Sequence, residues 1–103
     1  MFSLKIIVDV PSYKQLEFEN AITLLIDSIT PNENIIKKGI TKDLNKNHVY
    51  CFEEDWHSRE KMEEHFKSEE FQTIIGAMKV LGEIIDANII YADKKENFKQ
   101  IIN

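Results

Sequence analysis

The chain is poor in the residues that usually advertise a specialised architecture. Of its 103 residues, one is cysteine, two are proline and three are glycine, and no apolar run is long. A single cysteine, Cys51, excludes an internal disulfide and makes a reducing, cytoplasmic setting the simplest one. It lies within an apolar strand pattern, on the face opposite Trp56, where a free thiol behaves as a small hydrophobe. No base neighbours it in sequence, so it is not read as a nucleophile. The glycines form no Gly-rich nucleotide loop, and no repeat, linker or low-complexity segment breaks the chain. The N-terminal run MFSLKIIVDVP ends in Asp9 and Pro11. It is too short to span a membrane, lacks a signal-peptide cleavage pattern, and reads as the first strand of a cytosolic domain. Positive charge is also in deficit. Thirteen basic against eighteen acidic side chains give −5, which argues against nonspecific binding to nucleic acid or anionic membrane. Glu53, Asp55 and His57 share one strand face, but without a further well-placed ligand set they read as a solvated or interfacial charge row, not a metal site.

What is present suits one soluble domain, since hydrophobic residues make up 43% and charged residues 30%. A chain of this size buries roughly 60–70% of its unfolded surface. Phe2, Leu4, Ile6, Val8 and Val10 alternate with Ser3, Lys5, Ile7 and Asp9, predicting a first strand that Pro11 stops. Ser12 and Gln15 have capping-box spacing. A helix follows with Phe18, Ile22, Leu25, Ile26 and Ile29 on one stripe, ended by Pro31. ENIIKKGITKDL reads as a strand with a bulge at Gly39, and the turn Asn45–Asn47 returns the chain into the strand HVYCFEEDW. Ser58 caps a short helix ending near Lys67, and Ser68 caps another. The second places Phe71, Ile74, Ile75, Met78 and Leu81 on one stripe and stops at Gly82. Ile84 to Tyr91 forms the last strand of a domain spanning residues 1–93, and residues 94–103 form a short amphipathic helical tail.

The order β-α-β-β-α-β, with the second helix split, predicts an α+β ferredoxin-like fold. A four-stranded antiparallel sheet would carry helices on one face. The other face would keep apolar residues, because Ile84 and Ile90 oppose Ile85 and Ile89 by simple alternation. A homodimer packed through that face would cover them.

The segment CFEEDWHSREKMEEHFKSEEFQTIIGAMKVLGE resembles the antibiotic biosynthesis monooxygenase domain family. The likeness rests on the acidic pair and tryptophan Glu54–Asp55–Trp56, on His65 nine residues later, and on Ser68 with Phe71. It implies a dimeric α+β barrel with a pocket between helices and sheet in each protomer. It also implies a monooxygenase that needs no cofactor, in which a dihydroxyaromatic or quinol-like substrate is deprotonated and its anion reacts directly with oxygen. Some oxygenases of the family carry an asparagine four residues before the tryptophan, where this chain has Phe52. A haem-degrading branch uses a strand-1 asparagine, a helical tryptophan and a haem-ligating histidine. The last two positions hold His65 and Ile75 here, and strand 1 has no asparagine, which argues against that reaction.

Two residues stand out as catalytic candidates. Trp56 points to the same side as Tyr50 and Phe52, either as a core residue or as a substrate contact. His65 shares a helix face with Met62 and Phe66. It is either a general base for a phenol or a core histidine bonded to a carbonyl or carboxylate. If a pocket exists, Phe52, Met62, Phe66, Phe71, Ile75 and Met78 are its apolar, substrate-binding wall. His57 should point away, and the acidic run Glu53–Asp55 is explained by strand solvation. The alternative functions are a non-catalytic dimer that binds a small aromatic or apolar ligand or a protein, and an isomerase of a small carbonyl compound. Phe52 favours binding and His65 favours chemistry.

Overall fold

Antiparallel pairing organises the molecule. A computed structural model describes residues 1–98. Its strands are β1 (Phe2–Asp9), β2 (Ile35–Lys42), β3 (Val49–Trp56), β4 (Glu83–Tyr91) and β5 (Lys94–Asn97), in the spatial order β2-β3-β1-β4-β5. The helices are α1 (Gln15–Asp27), α2 (Arg59–Phe66) and α3 (Glu69–Leu81). Every strand pair is antiparallel. The helices cover one face, so the α+β, ferredoxin-like expectation holds, with one strand added. No helix among the described residues is long and apolar enough to cross a membrane.

The alternation of β1 decides the core. Leu4, Ile6 and Val8 are fully buried beneath the helices, opposite Glu54, Phe52 and Tyr50 of β3. Phe18, Ile22 and Ile26 come down from α1, and Phe71, Ile74, Ile75, Met78 and Leu81 come down from α3. Both expected serine caps form. Ser58 accepts from the Lys61 amide and Ser68 from the Phe71 amide, each at 3.2 Å.

Four local expectations are corrected. Ser12 caps nothing, because Pro11 leads straight into a 3-10 turn at Ser12–Lys14, and Gln15 instead donates to the Val10 carbonyl. Gly39 pairs regularly with Glu53, and the irregularity in β2 falls between Ile35 and Lys37. A second register shift lies in β4, where Ile7 faces Asp86 and Val8 faces Ile84, leaving Ile85 as the extra residue. That bulge breaks simple alternation. Ile84 and Ile89 both turn toward the helices, and the helix-free face receives Asp86, Asn88 and Ile90. It is therefore a mixed face, with Ser3, Lys5, Ile7, Cys51, Glu53 and Asp55 on its central strands.

The helical tail is the fourth correction. Lys94–Asn97 pairs with β4 across a two-residue turn, in which Ala92 and Asp93 take positive φ values of 46° and 64°. Left-handed geometry at both positions suits a tight hairpin. Phe98 then anchors the strand, buried against Phe66 and Phe71 at ring separations of 4.5 and 6.5 Å. The boundary expected after residue 93 thus falls inside a hairpin, and residues 99–103 lie outside the described ones.

Gly82 and Gly76 make opposite predictions. A Cβ on Gly82 would stand 2.7 Å from the Asp9 carbonyl oxygen and 2.9 Å from Val8 Cγ1, both on the central strand. Gly82→Ala should lower stability by about 1–3 kcal/mol through overpacking. A Cβ on Gly76, inside α3, meets nothing within 4 Å. Gly76→Ala should raise stability by about 0.5–1 kcal/mol through helix propensity. Paired denaturant titrations check both signs.

Candidate functional site

The site begins with the period of β3. Tyr50, Phe52, Glu54 and Trp56 point toward the helices, so an acidic side chain enters the interior two residues before the tryptophan. Glu54 has no exposed surface. Its Oε1 accepts from the Trp56 indole at 3.2 Å and its Oε2 bonds His65 Nε2 at 2.8 Å. With Glu54 as acceptor the shared proton belongs to Nε2, and the neutral imidazole of that tautomer keeps its lone pair on Nδ1. His65 comes from α2, where Met62, His65 and Phe66 form the inward face. Its ring packs on Trp56 at 5.0 Å and meets the edge of Phe71 at 5.2 Å. Carboxylate and aromatic contacts fix the imidazole on three sides.

The remaining side opens. His65 Nδ1 has no hydrogen-bond partner among the described residues, yet it is not one of the sealed, unpaired polar atoms. Trp56 and His65 together line a surface cleft of about 220 Å³. Thr30–Asn32 forms one wall, Lys61 and Glu64 of α2 another, and Ser68 and Glu70 close it at the start of α3. Glu70 ties the loop wall down, accepting from the Thr30 amide at 3.0 Å and from the Thr30 hydroxyl. Those two bonds, the hydroxyl's first, hold the Glu70 carboxyl below its ordinary range, with a smaller contribution from His65.

The expected apolar wall is distributed differently. Phe52, Met62, Phe71 and Met78 are fully buried and Ile75 nearly so, filling the space between helices and sheet. Phe66 lines a separate cavity of about 340 Å³ beside Arg59, Ile89 and Phe98. The structure thus brings Trp56, His65 and Phe71 together and leaves Phe52, Ile75 and Met78 in the core. His57 is exposed and only its backbone is engaged, donating to the Asn34 carbonyl. Cys51 lies half-buried on the helix-free face, its thiol pushed up by burial and by Glu53. Among the described residues no group of three or more His, Cys, Asp or Glu could hold a metal ion.

Glu54 is the residue that sequence reasoning missed. Solvation was the expected explanation for the acidic run, and it fails at this position because Glu54 is sealed. The signal was available in the alternation that turned Tyr50, Phe52 and Trp56 inward.

Comparison with known proteins agrees with this architecture. The antibiotic biosynthesis monooxygenase family matches residues 1–77. No curated protein matches the sequence significantly. A conserved protein from Bacteroides thetaiotaomicron is similar in structure with a TM-score of 0.77 at 19% identity, over 86% of this chain and 94% of its own. A conserved protein from Methanosarcina mazei superposes with a TM-score of 0.76 at 21% identity, over 90% and 92% of the two chains. SnoaB, a cofactor-independent oxygenase from Streptomyces nogalater, gives 0.75 at 12% identity, over 90% and 93%. At these identities the structural likeness speaks for the fold alone.

If Glu54 holds two buried donors, removing it strands both. Glu54→Ala should cost about 2–5 kcal/mol, since each stranded buried donor is worth about 1–3 kcal/mol. Glu53→Ala, removing a partly exposed carboxylate on the other face, should cost much less. Equal losses in urea unfolding would contradict the buried network.

Proposed function

We propose, for a chain that belongs to the antibiotic biosynthesis monooxygenase family, that it is a cofactor-independent monooxygenase of a small phenol or quinol bound at the His65 cleft. The observation that carries this reading is the unpartnered His65 Nδ1 at the cleft, with Nε2 held 2.8 Å from a buried carboxylate. A substrate hydroxyl gives its proton to Nδ1, and Glu54 stabilises the imidazolium that results. Trp56 keeps Glu54 in place through its second oxygen. Lys61, the lysine of the cleft lining, is shared with Glu64 at 3.4 Å and offers the phenolate a counter-charge.

The anion is electron-rich enough to reduce dioxygen by one electron. Recombination at a ring carbon bearing hydrogen forms a hydroperoxide, and loss of water leaves a carbonyl. One oxygen atom stays in the product and the other departs as water, carrying the proton that His65 returns. The substrate supplies all the electrons. The cleft's 220 Å³ lies below the roughly 300 Å³ at which pockets for drug-sized ligands begin, so one substituted ring suits it better than a polycycle.

The reading includes a homodimer joined through the helix-free face, where Ile7 and Ile90 would leave solvent, in a compartment that keeps Cys51 reduced. A second reading, a dimer that binds a small apolar ligand or a protein without turnover, is favoured by the filled interior around Phe52 and Met78. Oxygen uptake with a panel of single-ring hydroquinones separates the two. His65→Gln should remain folded and lose about 10²–10⁴-fold in turnover, the usual worth of a general base. Trp56→Phe, which removes the donor to Glu54, should also lose turnover while staying folded. Uptake unchanged per folded molecule in both variants ends the catalytic reading, and no uptake by the parent chain leaves the binding module.

A further inference from the structure

The cavity beside Phe66 plays no part in the chemistry at His65, and the two share no lining residue. Its volume of about 340 Å³ lies above the roughly 300 Å³ at which small-molecule pockets begin. Phe66 and Phe98 meet there at 4.5 Å with their rings tilted by 47°, and Ile89 completes an apolar, mainly aromatic floor. The rim is fixed by its own bonds. Arg59 donates to both oxygens of Glu96 at 2.9 and 3.0 Å and to Glu63 at 2.9 Å. Gln72 donates to the Phe66 carbonyl at 2.8 Å. These contacts tie α2 to β5 and to α3 around the opening, so its walls are in place before any ligand arrives.

Charge decides what such a ligand carries. Arg59 is committed to Glu63 and Glu96. Lys67 lines the same cavity, is exposed, and its ammonium group has no hydrogen bond or ion pair among the described residues. The rim as a whole is neutral, two carboxylates against Arg59 and Lys67, but the uncommitted cation stands apart from the Glu63–Arg59–Glu96 cluster. An acidic group is therefore attracted by Lys67 and repelled by the carboxylates, which orients its carrier. We infer that this cavity is a second ligand site, which takes a single-ring aromatic carboxylate with its ring on Phe66 and Phe98 and its acid group on Lys67. The inference goes beyond the reading of the His65 cleft and does not depend on it.

Titrating the full chain with 3-phenylpropionate and with 3-phenylpropionamide, followed by NMR, tests it. The Ile89 methyl signals and the Phe66 and Phe98 ring signals should move. The indole N–H of Trp56, the chain's one tryptophan, should stay. The acid should bind about two- to fivefold more tightly than the amide, as one exposed ion pair allows, and added salt should shrink the difference. Lys67→Met, an exposed change that leaves the core alone, should bind the amide like the parent and lose the preference for the acid. His65→Gln should bind the acid unchanged, so failure of the monooxygenase reading would leave this site standing. Shifts centred on the Trp56 indole with Ile89 unmoved would overturn the second site. Equal affinities for acid and amide, or a preference that survives in Lys67→Met, would overturn the carboxylate ligand. No shift with either probe up to its solubility limit would overturn the inference whole.

Discussion

The Glu54 carboxylate, sealed between sheet and helices, is the interaction on which the rest of the site depends. A buried charge without partners would be prohibitively costly, so its two oxygens require two fixed donors. Trp56 supplies one from the same strand and His65 the other from α2. Each is then constrained by the carboxylate as much as it constrains it. Phe71 packs against His65, which carries the constraint to the first turn of α3. The arrangement also explains how α2 persists. Eight residues are too few for a stable isolated helix, so its position comes from tertiary contacts. The Ser58 cap and the His65–Glu54 bond hold one side. Arg59 holds another by gripping both oxygens of Glu96 on β5 at 2.9 and 3.0 Å, over the Tyr91 ring.

The parts of the fold that were legible in the sequence are those where local pattern and tertiary demand coincide. The stripe from Phe71 to Leu81, the inward set of β1 and the caps at Ser58 and Ser68 all required only residue type and spacing. Ser12 had the right spacing too, but Pro11 fixed the backbone ahead of it and the 3-10 turn took the place of a cap. The Ile85 bulge had no local signature, because Ile-Ile-Asp-Ala-Asn reads equally well in either register. Its position is set by what β4 must bury, with Ile84, Ala87 and Ile89 all meeting the helices. Lys94–Asn97 was illegible for a similar reason. Four polar residues carry no strand period, and their pairing follows from the turn before them and the buried Phe98 after them.

In the site, the difference between Trp56 and Glu54 is instructive. An inward aromatic needs no explanation beyond burial, so alternation alone reveals it. An inward carboxylate is credible only once its partners are known, and His65 stands eleven residues away on another element. The cleft wall at Thr30–Asn32 was beyond reach for the same reason. Its place beside His65 depends on Glu70, forty residues from Thr30, accepting the loop's donors.

The consecutive residues Glu53, Glu54, Asp55 and Trp56 divide two tasks between the faces of one strand. Glu54 and Trp56 hold the imidazole under the helices, while Glu53 and Asp55 set the charge pattern of the helix-free face. A slip of one residue in β3 would exchange these roles entirely, burying Glu53 and Asp55 where no donor awaits them. The register must therefore be held strongly. It is held from both sides, by unbroken pairing with β1 from Phe2↔Trp56 to Asp9↔Val49, and by β2, whose one irregularity at Ile36 precedes the regular run from Lys37 to Lys42. Because the bulges fall in β2 and β4, β3 itself stays regular where the acidic run lies. The extra residue of β2 lies opposite the Asp55–Trp56 step and is taken up by β2 itself, and backbone regularity in β3 becomes the condition that both the buried carboxylate and the charged face share.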